Sequence, residues 1–179
     1  FTASFFSPRL CAFASDFFYF YLSKSNTMIT TIRTQSDNID FQTLVKALDI
    51  ELQLRDGAEH AFYAQFNSIA SIQHVVVAYY EGQAVGCGAF KHYDDETMEI
   101  KRMYVHPLHR GKGFASVILR ALENWVSELD YKKCILETGK NQPEAMALYA
   151  KNQYQIIPNF GQYAGVSDSF CYEKLLQNQ

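Results

Sequence analysis

The chain has 179 residues, enough for one domain, and nearly half of them are apolar. Its formal net charge of −3 gives no reason to expect a nucleic acid or an anionic membrane as partner, and no apolar run is long enough to span a bilayer. Any basic site must then be local, which draws attention to the cluster between Lys101 and Lys112.

The chain opens on Phe1, and residues 1–27 hold nine of its 26 Phe and Tyr residues. In a secretory signal the apolar run precedes the small-residue cleavage site. Here Ala12-Phe13-Ala14 precedes the apolar run Phe17–Leu22, the wrong order. Residues 1–27 are therefore read as an extension outside the domain, an artefact of the translation start or a leader fragment, with a hydrophobic docking segment as the alternative. Residues 28–179 are read as a single domain. Cys11, Cys87, Cys134 and Cys171 form no CxxC pair and are expected to be isolated reduced thiols. The expected location is cytoplasmic.

Met28–Arg33 alternates and is β-branched, which predicts a first strand. Ser36 or Asp37 offers an N-cap. Phe41, Leu44, Val45 and Leu48 then recur at i, i+3, i+4, i+7, the spacing of an amphipathic helix that Arg55-Asp56-Gly57 breaks. Ala58–Ile69 reads as weakly helical. His74–Tyr80 is a continuous β-branched run, as in a strand buried on both faces. Glu81-Gly82-Gln83 is hairpin chemistry, and Ala84–Tyr93 is the next strand, whose Gly86 and Gly88 imply that something approaches closely. Met98–Val105 is the third strand of this meander, and Gly113–Leu129 a helix. Cys134–Thr138 is a short strand, and Asn141-Gln142-Pro143-Glu144 starts a helix with Asn141 as N-cap. Strands follow at Tyr154–Ile157 and Ser169–Leu175. The order β, α, α, β, β, β, α, β, α, β, β defines an α/β or α+β protein with a mixed sheet.

Between the strand ending at Val105 and the helix after it lies a basic glycine turn, His106-Pro107-Leu108-His109-Arg110-Gly111-Lys112-Gly113-Phe114-Ala115. Pro107 stops the strand, and Gly111 and Gly113 can take φ > 0 so that successive N–H groups converge on an anion. The next helix directs the positive end of its dipole there, Arg110 and Lys112 add charge, and small Ala115 keeps the first turn open. Neither the Walker pattern nor the Rossmann fingerprint fits.

Arg110-Gly111-Lys112-Gly113-Phe114-Ala115 resembles the R/Q-x-x-G-x-G/A signature of the GNAT superfamily of N-acetyltransferases. Asn141–Tyr149 resembles that family's second cofactor segment, and Phe170–Leu175 its last strand. The resemblance covers 28–179, with Gln153 standing where the family often has glycine. It implies a mixed, mostly antiparallel sheet of six to seven strands, helices on both faces and a splayed central strand pair, here Met98–Val105 and Cys134–Thr138. It implies acetyl-CoA as cosubstrate, with its pyrophosphate on Arg110 and the N–H groups of Gly111, Lys112, Gly113, Phe114 and Ala115. The pantetheine arm would lie on Met103, Tyr104 and Val105 and touch Asn141.

The implied reaction is direct acetyl transfer to a primary amine of a small molecule or peptide. It implies Tyr149 as general acid, the other reading being a core tyrosine. It also implies Glu99 as base, against the plainer reading of a Glu99–Lys101 ion pair. Strict alternation places Glu99, Lys101, Met103 and Val105 on one face, unless a bulge intervenes. His60, His106 and His109 are reserve bases. No metal is expected, since no His/Cys/Asp cluster has ligand spacing. A homodimer through strand edges, common in the superfamily, stays open. The rival readings are a non-catalytic acyl-CoA-binding or regulatory module on the same fold and a phosphate-dependent enzyme of other chemistry.

Overall fold

A computed structural model describes residues 28–57 and 60–176. The extension 1–27 and the expected helix start at Ala58 lie outside the described residues. The elements are β1 (Thr30–Thr34), α1 (Ile39–Asp56), α2 (His60–Ala64), β2 (His74–Tyr80), β3 (Gln83–Asp94), β4 (Thr97–Val105), α3 (Phe114–Glu128), β5 (Lys133–Gly139), α4 (Pro143–Lys151), β6 (Gln155–Ile157) and β7 (Ser169–Leu175). They build a seven-stranded sheet in the order β1-β2-β3-β4-β5-β7-β6. Every neighbouring pair is antiparallel except β4 and β5, which run parallel. No helix among the described residues is long and apolar enough to cross a membrane.

The period-2 alternation of strand side chains sends each strand's residues to two cores. On β2, Val75 and Val77 join Phe41, Leu44, Val45 and Leu48 of α1. Val76 and Ala78 face the other way, toward Ile118, Leu119, Leu122 and Val126 of α3. Helices therefore cover both faces, and β2 reads as an unbroken apolar run because it is buried on both. The four apolar positions that predict α1 from spacing are all buried. Its N-cap is Asn38 rather than Ser36 or Asp37: Asn38 Oδ1 accepts from Phe41 N at 2.9 Å, the N3 position that an N-cap side chain reaches.

The close approach at Gly86 and Gly88 comes from α3 and β4. A Cβ on Gly86 would lie 2.8 Å from Ile118 Cδ1 and from the Tyr104 carbonyl, and one on Gly88 2.7 Å from Leu122 Cδ1. The second helix is shorter than its sequence suggests, since among the described residues of this segment only His60–Ala64 is helical. The chain then turns, and Phe66 packs edge-on against Phe62 and Tyr163 at 5.4 and 5.9 Å. Tertiary aromatic contacts replace the weak periodicity there.

Two features of β4 shape the cleft beside it. The strand pairs with β5 only at Thr97, Met98 and Glu99, and beyond these residues the two parallel strands diverge. Opposite Gly88 it also carries an extra residue, because Cys87 faces Tyr104 while Ala89 faces Lys101. This bulge centres on Arg102, whose φ is +57°. It overturns the strict alternation. Met98, Ile100 and Val105 belong to the α3 core with Met103 against it, whereas Tyr104 belongs to the α1 core. Glu99 and Lys101 thus share no face with Met103 and Val105.

α4 starts at Pro143 with Gln142 as cap residue, so Asn141 is not its N-cap. The Asn141 side chain instead donates to the Arg55 carbonyl at 3.0 Å and ties the loop to the end of α1. After α4, Gln153 holds φ +70°, a left-handed position that costs a side-chain residue roughly 1 kcal/mol. Gln153→Gly is expected to raise stability by up to about 1 kcal/mol, or about 2–4 °C in Tm, checked by thermal unfolding.

Candidate active site

The divergence of β4 and β5 opens a cavity of about 90 Å³, lined by Ile100 to Met103 on one strand and Glu137 to Gly139 on the other. It meets a larger groove of about 370 Å³ running along the end of β4 to the start of α3 and across to α4. Leu48, Leu52, Met103, Gln142 and Tyr149 line both. Eight of the residues expected to hold a cofactor line the groove: Met103, Tyr104, Val105, Arg110, Gly111, Gly113, Phe114 and Ala115.

The turn at the groove's far end has the expected backbone. Gly111 and Gly113 hold φ +75° and +83°, and Gly113 is the left-handed residue just before α3. Among the described residues the N–H groups of Gly111 through Ala115 have no backbone acceptor. They sit at the positive end of α3, a cradle for an anion, and the donor set fits a pyrophosphate.

The side chains around the turn depart from expectation. Arg110 Nε donates to the Val105 carbonyl at 2.8 Å, and its terminal nitrogens bind Glu51 at 3.1 and 2.6 Å. That bond holds the Glu51 carboxyl below its usual range. Arg55 bridges Glu51 at 2.7 Å and Glu144 at 2.5 Å, so α1, the turn and α4 are tied together across the groove. The guanidinium of Arg110 is therefore matched by protein, which leaves the backbone N–H groups as the donors of the turn without a partner among the described residues. Lys112 does not line the groove, and its ammonium lies over the Tyr80 ring, 5.5 Å from the centroid. Asn141 is held by Arg55, and Gln142 lines the groove in its place.

The expected base is displaced as well. Glu99 is 2 % exposed and does not line the cavity. Its two oxygens face Lys101 Nζ at 3.0 Å and Lys91 Nζ at 3.2 Å, so the ion-pair reading is the one the structure contains. The physical reason is the short β4–β5 pairing. Glu99 still lies inside the paired segment, opposite Ile135, before the strands part.

On the strands, the carboxylate that faces the cavity is Glu137 of β5. Burial pushes its carboxyl up to about 7, with nearby Glu99 and Asp56 adding to the rise and Ser169 and Lys101 opposing it. Ser169 Oγ donates to Glu137 Oε1 at 2.7 Å and lies 3.2 Å from the Tyr63 hydroxyl. A carboxyl that titrates near neutrality in a cleft is suited to moving protons. Sequence reasoning missed it because CILET reads as a short buried strand. The available signal was a lone glutamate in an otherwise apolar strand beside the expected splay.

Tyr149 stands where cavity and groove meet, 5 % exposed, its ring against Tyr154 and Tyr172 at 5.7 and 5.8 Å. Burial raises its hydroxyl above the usual tyrosine range, with Glu137 adding to the effect, so it stays protonated. Among the reserve histidines, His109 lines the groove and stacks on Phe114 at 6.3 Å, while His60 Nδ1 lies 4.0 Å from Asp56. Cys87, Cys134 and Cys171 are buried free thiols, and burial raises all three. None lines the cavity or the groove.

The site thus joins a splayed parallel pair in an otherwise antiparallel sheet to an N–H cradle that opens the helix after β4. The model of the acetyltransferase (GNAT) family matches residues 41–154, and the chain belongs to that family. It is 36% identical over 76 residues to YjgM, an uncharacterized N-acetyltransferase of Escherichia coli (strain K12), covering 41% of this chain and 46% of that protein. The chain thus matches about half the length of this relative. It is 35% identical over 103 residues to an IAA acetyltransferase of Azospirillum brasilense, covering 56% and 67% of the two chains. A crystal structure from Klebsiella pneumoniae subsp. pneumoniae, assigned to the acyl-CoA N-acyltransferases, superposes with a TM-score of 0.72 at 29% identity, covering 85% of this chain and all of that one.

Proposed function

We propose that this protein transfers the acetyl group of acetyl-CoA to a primary amine by direct attack, both substrates being bound together. The observation that carries this is the junction at Tyr149. There a cavity holding a near-neutral carboxyl, Glu137, opens into a groove that ends in unpaired backbone donors. Acetyl-CoA supplies an activated acetyl thioester. Its pyrophosphate fits the N–H groups of Gly111 to Ala115, and its pantetheine arm fits the groove beside Met103, Tyr104 and Val105.

Glu137, oriented by Ser169, takes a proton from the ammonium so that the nitrogen lone pair can attack the carbonyl. The N–C bond forms and the C–S bond breaks. Tyr149 gives its proton to the departing sulfur. The proton shed by the new amide restores Tyr149, and Glu137 returns its own to solvent. This assignment moves the base from Glu99 to Glu137 and keeps the tyrosine.

Thiol release from acetyl-CoA over a panel of amines tests the reading. Wild-type protein is expected to release thiol in step with amide formation, and Tyr149→Phe to lower kcat by about 10²-fold while acetyl-CoA still binds. Tight acetyl-CoA binding with no turnover of any amine would instead mark a binding module.

A further inference from the structure

A second carboxylate faces the cavity that holds Glu137. Asp56 closes α1, is 9 % exposed and lines that cavity together with Leu48 and Leu52. These three recur every four residues and so share one face of the helix. Among the described residues the one ion pair of Asp56 is a distant one, with His60 Nδ1 at 4.0 Å. The neighbouring guanidinium of Arg55 is engaged by Glu51 and Glu144. Burial raises the Asp56 carboxyl, His60 and Arg55 pulling the other way.

The cations of the same cavity are already matched. Lys101 donates to Glu99 at 3.0 Å and to the Tyr163 hydroxyl at 3.2 Å. Arg102 pairs with Asp49 through a terminal nitrogen, and its Nε is buried without a hydrogen-bond partner. Glu137 has its bond from Ser169 and no ion pair among the described residues. The cavity therefore presents two carboxylates, from α1 and β5, whose one ion pair among the described residues is the 4.0 Å contact of Asp56 with His60, with apolar Leu48, Leu52 and Met103 in the same lining. A buried carboxylate of this kind is costly until a cation meets it.

We propose that the acceptor is an aliphatic diamine without a carboxylate: one ammonium gives its proton to Glu137 and is acetylated, and the other stays charged on Asp56 while the methylenes lie along Leu48 and Leu52. This assignment rests on acetyl transfer as the protein's reaction and specifies its substrate. An added carboxylate on the acceptor would find Lys101 and Arg102 each already paired with a carboxylate of the protein.

Three probes separate the charges: 1,5-diaminopentane, pentylamine, which lacks the second ammonium, and lysine, which adds a carboxylate. With acetyl-CoA, kcat/KM for the diamine is expected to exceed the other two by about tenfold or more. In Asp56→Asn, which keeps the side chain's shape, the ratio of diamine to pentylamine is expected to fall toward one, through KM for the diamine. Calorimetry on the CoA-bound protein is expected to show the same preference in binding, and its loss in the variant. Equal use of diamine and pentylamine, or a preference that survives Asp56→Asn, overturns the diamine assignment and leaves acetyl transfer standing. A preference for lysine overturns it too. Absence of thiol release with every amine overturns acetyl transfer instead, while calorimetry still decides for or against Asp56.

Discussion

Glu137→Gln is expected to lower kcat by about 10²–10³-fold, because the ammonium would lose the group that takes its proton. In wild-type protein the rate should rise with pH through an acid limb near 7, where the Glu137 carboxyl ionises, and the variant should lack this limb. Rates measured across about pH 5.5–9 read both. The same substitution has a stability signature of opposite sign. The carboxyl titrates at about 7 in the folded protein against an ordinary value of 4.5, so between these values the native state binds the extra proton. Stability then falls as pH rises through this window, and the full penalty, up to about 3 kcal/mol, is present above it. Glutamine can still accept from Ser169 and carries no charge to desolvate. Thermal unfolding should therefore show the variant more stable than wild type at alkaline pH, with the gap closing toward the lower end of the window. Retained activity with an intact acid limb would remove Glu137 from the reaction. Glu99→Gln should behave differently: it leaves Lys91 and Lys101 facing one another without their carboxylate, which costs stability without abolishing the limb.

Gly113→Val is expected to raise the dissociation constant for acetyl-CoA by at least about tenfold. The cause is backbone conformation, not collision. A Cβ at this position meets nothing within 4 Å, but φ is +83°, where a β-branched residue is a genuine outlier. The turn must rearrange, and the N–H groups of Gly111 to Ala115 then no longer converge. Gly113 lies at the start of α3, outside the described cores, so the variant should fold, which its circular dichroism would show. Calorimetric titration with acetyl-CoA measures the loss, and unchanged affinity in a folded variant would place the pyrophosphate elsewhere. Gly111→Val should act in the same direction, since its φ of +75° carries the same requirement.

The basic glycine turn was readable because its chemistry is local. Two glycines, a stopping proline and the helix after them are neighbours in the chain, and their φ values and free donors follow from those residues alone. The same holds for α1, whose four apolar positions share a face by helical geometry, and for β2, whose run of valines feeds both cores by alternation. The hidden features depend on partners distant in sequence. Arg110 lies 59 residues from Glu51, and no local rule pairs them. Asn141 offers good N-cap chemistry, yet the Arg55 carbonyl from the end of α1 claims its side chain. The second helix is curtailed where Phe66 meets Tyr163, from a loop almost a hundred residues away.

By itself the sequence determined the order of elements, the two buried faces of the sheet and the backbone of the basic glycine turn, since periodicity and turn chemistry act over a few residues. Only the tertiary structure decided which carboxylate meets the cavity. That choice depends on where β4 and β5 stop pairing and on the bulge at Arg102, which turns one stretch of β4 relative to the next. Glu99, still within the paired segment, is closed off between two lysines. Glu137, beyond it on the neighbouring strand, is partly buried with no ion pair among the described residues, and that burial brings its carboxyl to the range where it can exchange a proton.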